Sequence, residues 1–262
     1  MKILIPTYFR ELKQKCWKSL PEEIQKRTYL CTRYDRVDYL KLCNPKANVI
    51  DLGITDGIAD TRQKLINIAE DKKIFIVDDN TTFLYRDENH KLHPMKTSFK
   101  FSEMLNSIEQ ELDNYAWVGI SDRGGNNRVK EDKKEIVRSY SCYGINAKKF
   151  NDNNITFDGM YQKDKEIKLF EDFYALMKML SKGMKNLVMY KYAFNHPHGK
   201  EGGNSIMRTS ALHEKCLRKL ADEFPGYIKF VVKQKPSWTA SKSDNHRFES
   251  VIQWKKLYES SL

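Results

Sequence analysis

The first third of the chain alternates between short apolar runs and amphipathic stretches, and this alternation constrains the fold more than any other feature. Four runs have the length and composition of buried strands: Lys2–Pro6, Thr28–Thr32, Asn48–Leu52 and Lys73–Val77. Three intervening stretches have helical spacing: Arg10–Leu20, Tyr34–Leu42 and Ile58–Ala69. Strands that alternate with helices usually run parallel, with helices packed on both faces of the sheet. The sequence therefore predicts an α/β fold with a mostly parallel sheet flanked by helices.

The remainder of the chain is less regular but contains further elements. Helices are predicted at Ser98–Leu112, Ile167–Leu180 and Thr209–Phe224, and strands at Tyr115–Ile120, Glu135–Tyr143 and Asn186–Phe194. No internal repeat or low-complexity linker separates them, so we predict a core over residues 1–200 and a C-terminal extension of the same domain over residues 201–262. The polar, glycine-rich segments Asp122–Lys134 and Pro197–Ser205 are predicted to be loops that cover a site.

The charge of the chain is unevenly distributed. The net charge is +11, and residues 181–262 hold 15 Lys and Arg against 7 Asp and Glu. The same region carries Trp238, Trp254 and Arg247. Positive charge combined with aromatic side chains favours a polyanionic partner such as nucleic acid. A lysine-rich soluble surface explains the charge alone equally well, so both interpretations stay open.

Cysteine usage and hydropathy indicate the environment of the chain. The five cysteines are odd in number and lack the paired spacing of metal sites, which is typical of reduced thiols in a cytosolic protein. No segment approaches the roughly 20 apolar residues that span a bilayer. The first residues lead directly into Pro6 without the pattern of a secretory signal. We therefore expect a cytoplasmic protein with no membrane partner.

The apolar run Ile74–Val77 is followed at once by Asp78, Asp79 and Asn80. A uniformly apolar strand is covered on both faces of its sheet, and in open α/β sheets ligands bind at the carboxyl ends of the strands. Carboxylate and amide oxygens are the ligands that Mg²⁺ and Mn²⁺ prefer, and these ions in turn bind phosphates. The sequence thus indicates a cation and phosphate site after this strand.

Two further groups of charged residues suggest binding or catalysis. Arg62, on the helix that precedes this strand, can clamp a phosphate or a sugar hydroxyl with its planar guanidinium. The alternative is a surface arginine paired with Asp60 or Glu70. Glu171 and Asp172 open another amphipathic helix, where acidic residues commonly complement the helix dipole. The functional interpretation makes one of them a general base that takes a proton from an acceptor hydroxyl.

The ends of other predicted strands carry residues that can face the same cleft. The residues after the first strand are Pro6, Thr7, Tyr8 and Arg10, and Arg33 follows the second strand. Free backbone N–H groups and arginines in these positions suit an anionic ligand, although Pro6 and Thr7 are also typical helix caps. His196 and His198 follow a later strand and can face one ion, and a pair of surface loop residues is an equal alternative.

In order and spacing, these residues resemble the GT-A glycosyltransferases. Members of that class open with a strand that ends in a Pro-Thr or Pro-Ser turn, here Ile5–Tyr8. A helix with a small-small-Arg-Asn pattern follows, here Ala59–Gln63, and an apolar strand then ends in a DxD-type motif, here Ile76–Asn80. The chain departs from the pattern at Gln63, where the class usually has Asn, and at Asn80, where a third carboxylate is typical.

The resemblance covers about residues 1–200 and implies a GT-A, Rossmann-like fold that binds a nucleotide-sugar, with a UDP-sugar as the expected donor. It implies that Asp172 or Glu171 is the catalytic base and that Mg²⁺ or Mn²⁺ binds the donor diphosphate. The implied metal ligands are Asp78, Asn80 and a loop histidine, His196 or His198. The implied nucleotide-binding residues are Pro6, Thr7, Tyr8, Arg10, Arg33, Arg62, Asp78 and Asp79.

Within this class, the chain is most similar to phage proteins related to the TET/JBP-associated glycosyltransferases. The segments that carry this similarity are Ile5–Arg10, Gly57–Asn80, Gly119–Arg128, and Gly202–Ser205 with Arg208. The similarity implies transfer of a sugar to a hydroxymethylated pyrimidine, 5-hydroxymethylcytosine, in duplex DNA within the host cytoplasm. Residues 119–134 and Trp238–Arg247 would then face the DNA.

Three alternatives share part of this evidence. A GT-A transferase for a carbohydrate or another non-DNA acceptor has the same donor chemistry but needs no basic surface. A non-catalytic DNA-binding module retains the fold and the charge without consuming a nucleotide-sugar. A nucleotidyltransferase fits the paired carboxylates but not the Arg62-Gln63 helix, and it would release pyrophosphate.

Overall fold

The computed structural model of the protein describes residues 1–70, 72–196, 208–234 and 246–262. In chain order, the strands of these residues are β1 (Lys2–Pro6), β2 (Thr28–Thr32), β3 (Asn48–Asp51), β4 (Lys73–Val77), β5 (Thr82–Arg86), β6 (Leu92–Pro94), β7 (Trp117–Asp122), β8 (Lys133–Glu135), β9 (Cys142–Asn146), β10 (Leu187–Asn195), β11 (Ile228–Gln234) and β12 (His246–Ile252). The α-helices are α1 (Lys15–Ser19), α2 (Glu22–Gln25), α3 (Val37–Cys43), α4 (Gly57–Asn67), α5 (Ser98–Glu111), α6 (Arg123–Asn126), α7 (Ala147–Asp152), α8 (Gly159–Lys163), α9 (Glu171–Leu180), α10 (Ser210–Glu223) and α11 (Trp254–Glu259).

Ten of the described strands form one mixed sheet in the order β3-β2-β1-β4-β9-β7-β10-β5-β6, with β8 also paired to β10. The first four strands run parallel, with Ile5 opposite Leu30 and Leu4 opposite Ile76. β9 is antiparallel to both β4 and β7, and β10 is parallel to β7. As a result, β1, β2, β3, β4, β7 and β10 all end at the same edge of the sheet, which we call the carboxyl edge.

Each face of this sheet is covered by its own hydrophobic core. Alternate residues of one strand enter different cores, as Phe75 and Ile76 do, and both side chains are fully buried. One core includes residues of α4, α9 and α10, and the other includes residues of α1, α3 and α5. This double burial explains why β4 is continuously apolar from Ile74 to Val77 instead of alternating between apolar and polar residues.

The predicted bounds of β1, β2 and β4 are confirmed, and three other predictions are wrong in part. The helix predicted at Arg10–Leu20 is a 3-10 turn at Glu11–Lys13 followed by the short helix α1, because Gln14 between them is not helical. The single strand predicted at Glu135–Tyr143 is two strands, β8 and β9, because the chain bends between them. Ile136 and Ser141 there have φ of 54° and 57°, in the left-handed region that strands do not use. The helix predicted from Ile167 begins at Glu171, since Phe170 has φ of 67°. The hairpin of β5 and β6 was not predicted.

The C-terminal segments contribute to one of the two cores. Cys216 and Leu220 of α10 and Leu257 of α11 are buried with residues of α9. β11 and β12 pair with each other as a separate antiparallel ribbon. No helix in the described ranges is long and apolar enough to cross a lipid bilayer. The predicted boundary between core and extension at residue 200 stays a prediction.

Candidate active site

Arg62 lies at the centre of a buried cluster of charged side chains. Its side chain is 4% exposed, and Nη2 donates to Asp78 Oδ1 at 3.0 Å. Nη1 donates to Glu171 Oε1 and lies 3.7 Å from Asp172 Oδ2. Four residues that the sequence singled out therefore lie together, although they come from α4, the end of β4 and the start of α9. The alternative of a surface Arg62 paired with Asp60 or Glu70 is wrong, because Arg62 is buried, Asp60 lies 3.9 Å from Lys64 and Glu70 lies 3.5 Å from Lys72.

The backbone around this cluster is locally strained. Phe170, directly before Glu171, has φ of 67°, and its ring packs against those of Phe173 and His213 at centroid distances of 5.8 Å and 4.9 Å. Ser141, also at positive φ, accepts a hydrogen bond from the Asp78 N–H at 3.0 Å. Left-handed backbone at a bulky residue costs on the order of 1–3 kcal/mol and is concentrated at functional sites. Packing thus holds both acidic segments in place.

Three carboxylates share the one guanidinium, which leaves the cluster with a formal charge of −2 when all are ionised. Burial raises the pKa of Glu171, and the charge of Arg62 opposes that shift. Burial also raises the pKa of Asp172, against the opposing charges of Arg62 and Arg138. Carboxyl groups whose pKa is moved toward neutrality are suited to accept and release protons. The cluster can therefore hold a proton or attract a cation.

Glu171 and Asp172 are not equivalent within the cluster. The Glu171 side chain is 8% exposed and is bonded directly to Arg62, whereas that of Asp172 is 16% exposed and lies farther from the guanidinium. Asp172 Oδ1 also accepts from the N–H of Phe173 at 2.8 Å, which fixes its orientation. Asp172 is thus the carboxylate better placed to meet a ligand, while Glu171 fixes Arg62.

Tyr143 lies beneath this cluster and was not singled out from the sequence. Its ring is fully buried on β9, and the Arg62 guanidinium lies 5.7 Å from its centroid. A cation over an aromatic face is stabilised by the ring quadrupole. Tyr143 therefore helps to stabilise the charge of the buried Arg62, and nothing in its local sequence could have indicated this contact.

Asp79 points into the protein and ties the segment after β1 to the end of β4. It is 4% exposed, with Oδ1 2.8 Å from Arg10 Nη1 and Oδ2 accepting from Thr7 Oγ1 at 3.2 Å. Gln14 Nε2 in turn donates to Thr7 Oγ1 at 2.6 Å. Burial raises the pKa of Asp79 to about 6, against the opposing charge of Arg10. Since both of its oxygens are engaged, we expect Asp79 to position Thr7 and Arg10.

The residues predicted to bind a nucleotide lie at the same carboxyl edge, beside the charged cluster. Pro6 is the last residue of β1 and is in register with Cys31 of β2. The Arg33 guanidinium lies 5.4 Å from the Tyr8 ring centroid and makes two 2.9 Å hydrogen bonds to Asp35. A partly exposed aromatic ring with a cation above it is suited to bind a base and a phosphate.

The predicted metal ligands are only partly brought together. The Asp78 side chain is 28% exposed and gives one oxygen to Arg62, and Asn80 follows two residues later. His196 follows β10, three strands from β4, which is about 14 Å at the usual strand spacing. His198 lies outside the described residues, and within them no three His, Cys, Asp or Glu side chains form a metal cluster. Asp78 and Asn80 fit Mg²⁺ in the way of sites that hold it with few protein oxygens and the substrate's phosphates.

Arg86 forms a buried contact that fixes part of the predicted loop 122–134. It is 5% exposed and donates to Asn126 Oδ1 at 3.1 Å and to the backbone oxygens of Asn126 and Val129 at 2.7 Å and 3.0 Å. Asn126 is fully buried and donates to Ser121 Oγ at 2.6 Å. The buried Arg86 side chain therefore anchors the loop after β7, while Arg128 and Lys130 on this loop are exposed.

Comparisons with known proteins identify a family and similar sequences. A family model described as TET-associated glycosyltransferase matches residues 1–203. The beta-glucosyl-HMC-alpha-glucosyl-transferases of Enterobacteria phages T2 and T6 are each 25% identical to the chain over 183 residues, covering 65% of it and 62% of their own length. The chain thus spans less than two thirds of these relatives.

Solved structures show the same fold. Residues 1–349 of S. aureus TarS, in complex with UDP, superpose with a TM-score of 0.50 at 16% identity, covering 85% of this chain and 65% of that one. The complex of the same protein with UDP-GlcNAc gives a TM-score of 0.50 at 14% identity, covering 85% and 66%. The predicted α/β, GT-A architecture is confirmed.

Proposed function

The chain belongs to the TET-associated glycosyltransferase family, and we propose that it is a glycosyltransferase that moves a sugar from a nucleotide-sugar to a hydroxymethylated pyrimidine in phage DNA. The expected acceptor base is 5-hydroxymethylcytosine. The observation that carries the proposal is the joining of Asp78 to Glu171 and Asp172 by Arg62, beside the Tyr8–Arg33 pair at the carboxyl edge.

The names of similar proteins support the two substrates. The phage relatives are named for glucosyl transfer to beta-glucosyl-HMC, which supports a hydroxymethylcytosine-type acceptor in DNA. TarS, which has the same fold, was solved with UDP and with UDP-GlcNAc, which supports a UDP-sugar as donor. Residues 181–262 contain 15 basic and 7 acidic residues, and this excess of positive charge suits a polyanionic acceptor.

On the donor side, Tyr8 and Arg33 would hold the nucleotide, with Pro6 and Thr7 shaping the turn under it. Arg10 stays paired with Asp79, so that turn keeps its place when the donor binds. Asp78 and Asn80 would hold Mg²⁺ or Mn²⁺ on the diphosphate. When bound, the metal would stabilise the charge that develops on the departing diphosphate.

On the acceptor side, Asp172 would take the proton of the hydroxymethyl group. The freed oxygen then forms a bond to the anomeric carbon of the sugar, and the bond from that carbon to the diphosphate oxygen breaks. Glu171 would keep Arg62 fixed during this step, and Arg62 would balance the charge that remains on Asp78. A base inside a duplex has to be turned out of the stack to reach such a cleft, which costs a few kcal/mol.

The proposal is tested by offering the protein several nucleotide-sugars together with duplexes that differ in one base. The duplexes carry cytosine, 5-hydroxymethylcytosine or its β-glucosylated form, and each reaction is run with Mn²⁺, with Mg²⁺ and with a chelator. The masses of the product nucleosides show which base gained a sugar. We expect transfer from a UDP-sugar to hydroxymethylated DNA, reduced by the chelator, and none to cytosine.

Other outcomes would identify the alternatives. Transfer confined to glycan acceptors would contradict the DNA acceptor but keep the glycosyltransferase. Binding of DNA without consumption of any nucleotide-sugar, in wild type and in Asp78→Ala alike, would indicate a non-catalytic DNA-binding module. Release of pyrophosphate would indicate a nucleotidyltransferase.

A further inference from the structure

Arg138 lies between β8 and β9 and packs on two aromatic rings, one of which is bonded to the end of β7. Its side chain is exposed, and its guanidinium lies 4.3 Å from the centroid of the Tyr140 ring and 4.9 Å from that of Phe173. Phe173 directly follows Asp172 in the first turn of α9. The cation is therefore held on two aromatic rings next to the proposed base.

The residues next to Arg138 are held in place by hydrogen bonds. Tyr140 Oη donates to Asp122 Oδ2 at 3.0 Å, at the end of β7. The next residue after Arg138 is also fixed, because Trp117 Nε1 donates to Ser139 Oγ at 2.9 Å in a buried contact. A guanidinium already held flat on two rings loses little further freedom when it binds an anion, which favours binding.

Within the described part of the protein, the charge of Arg138 is not neutralised by an ion pair. No carboxylate there forms an ion pair with it, and its charge reaches Asp172 only at longer range. Arg123, the first residue of α6, is likewise exposed and forms no ion pair with any described carboxylate. Arg33 and Arg62, by contrast, are both paired with carboxylates. Two arginines are thus available to an external anion.

The position of these arginines in the sheet indicates which anion they meet. Asp122, beside Arg123, ends β7, and two strands, β4 and β9, separate β7 from β1. At the usual spacing of about 4.8 Å per strand, Asp122 lies about 14 Å from the end of β1, where Tyr8 follows. The donor diphosphate belongs near β1 and β4, whereas Arg138 packs on Tyr140, which is bonded to Asp122 at the end of β7, so we assign an anion at Arg138 to the acceptor.

We propose that Arg138, together with Arg123 directly after β7, binds phosphates of the acceptor DNA strand next to the nucleotide that receives the sugar. This inference rests on the proposed function and identifies the surface that holds its acceptor. With the strand fixed by these contacts, a nucleotide turned out of the stack presents its hydroxymethyl group to Asp172.

The test compares Arg138→Gln with wild type in binding to a fluorescent duplex that carries 5-hydroxymethylcytosine, measured by anisotropy over a range of salt concentrations. Loss of one phosphate contact reduces the slope of log K against log salt by about 0.9, which corresponds to about fivefold weaker binding at 0.15 M salt. The KM for DNA should rise by a similar factor, and the Kd for UDP should stay the same. Arg138→Lys, which keeps the charge, should keep the slope.

A charge-matched control and separate readouts keep the outcomes distinct. Lys26→Gln removes an exposed cation before β2, at the opposite edge of the sheet, and should leave the slope unchanged. An unchanged slope in Arg138→Gln, or weaker binding of UDP instead of DNA, would overturn the inference while sugar transfer to DNA still stands. A wild-type protein that neither binds nor glycosylates the duplex would contradict the proposed function, and the inference with it.

Discussion

Replacement of Arg62 by methionine tests whether the buried charged cluster depends on one cation. The change keeps a long apolar side chain in a position that is 4% exposed but removes the partner of Asp78, Glu171 and Asp172. Removal of one partner of a buried ion pair costs about 3–5 kcal/mol, because an uncompensated charge stays buried. We therefore expect Arg62→Met to lower the free energy of unfolding by about that amount at neutral pH.

The pH dependence of this loss has a definite sign. Burial raises the pKa of Glu171 and Asp172, and Arg62 opposes the shift, so its removal raises both values further. A group whose pKa is raised on folding contributes stability below its unfolded pKa and loses that contribution as the pH rises through the folded value. The stability lost in Arg62→Met should therefore be largest at neutral pH and should shrink as the pH falls and both carboxyl groups become protonated.

Urea unfolding of wild type and variants at several pH values measures this directly. The double variant Arg62→Met with Glu171→Gln should lose less stability than Arg62→Met alone, because the directly bonded carboxylate is neutralised. Arg33→Met is the control, since its pair with Asp35 is exposed and should contribute less than about 1 kcal/mol. A loss below about 1 kcal/mol in Arg62→Met, or a loss independent of pH, would refute the reasoning.

Three further predictions concern single side chains. Asp172→Asn should lower kcat by a factor of about 10²–10⁴ without weakening UDP binding. The wild-type kcat should fall as the pH decreases through a pKa above that of an ordinary aspartate. A smaller loss of kcat in steady-state assays would exclude Asp172 as the base. Burial raises the pKa of Asp79 from 3.8 to about 6. The free energy of unfolding of wild type should therefore fall by up to about 3 kcal/mol relative to that of Asp79→Asn as the pH rises from about 4 to 7. The same pH dependence of the free energy of unfolding in both proteins would contradict this. Arg86→Met should speed hydrogen exchange of the amides in residues 126–132 by at least about tenfold, whereas Lys130→Met, at an exposed position, should not. Equal exchange rates in the two variants would show that Arg86 does not stabilise this loop.

The sequence predicts those strands whose apolar pattern is strong and whose ends are marked by polar residues. β1, β2 and β4 have the predicted bounds, because the middle of each strand is buried on both faces and lacks charged residues. The break between β8 and β9 could not be predicted, since it depends on positive φ at Ile136 and Ser141, and neither residue type favours that conformation. Tertiary contacts alone stabilise such a turn.

The site was predicted as a set of residues but not as a network. Arg62 and Glu171 are separated by 109 positions, so their contact follows from the packing of α9 against α4 and from no local pattern. Asp79 lies in the turn after β4, in which the Thr81 N–H donates to the Asp78 carbonyl oxygen, and its inward direction follows from its contacts with Arg10 and Thr7, which are distant in sequence. No local pattern distinguishes its direction from that of Asp78. The proposed role of Arg138 could not be predicted from the sequence, since the position of its side chain depends on the rings of Tyr140 and Phe173.

The central claim is that Asp172 helps to move a sugar onto a hydroxymethylated base in DNA. The most direct measurement is transfer of a radiolabelled sugar from its UDP-sugar to two duplexes of the same sequence, one with 5-hydroxymethylcytosine and one with cytosine. Wild type is predicted to label only the hydroxymethylated duplex, and Asp172→Asn to label neither at a comparable rate. Equal labelling of both duplexes, or labelling by Asp172→Asn at the wild-type rate, would contradict the account.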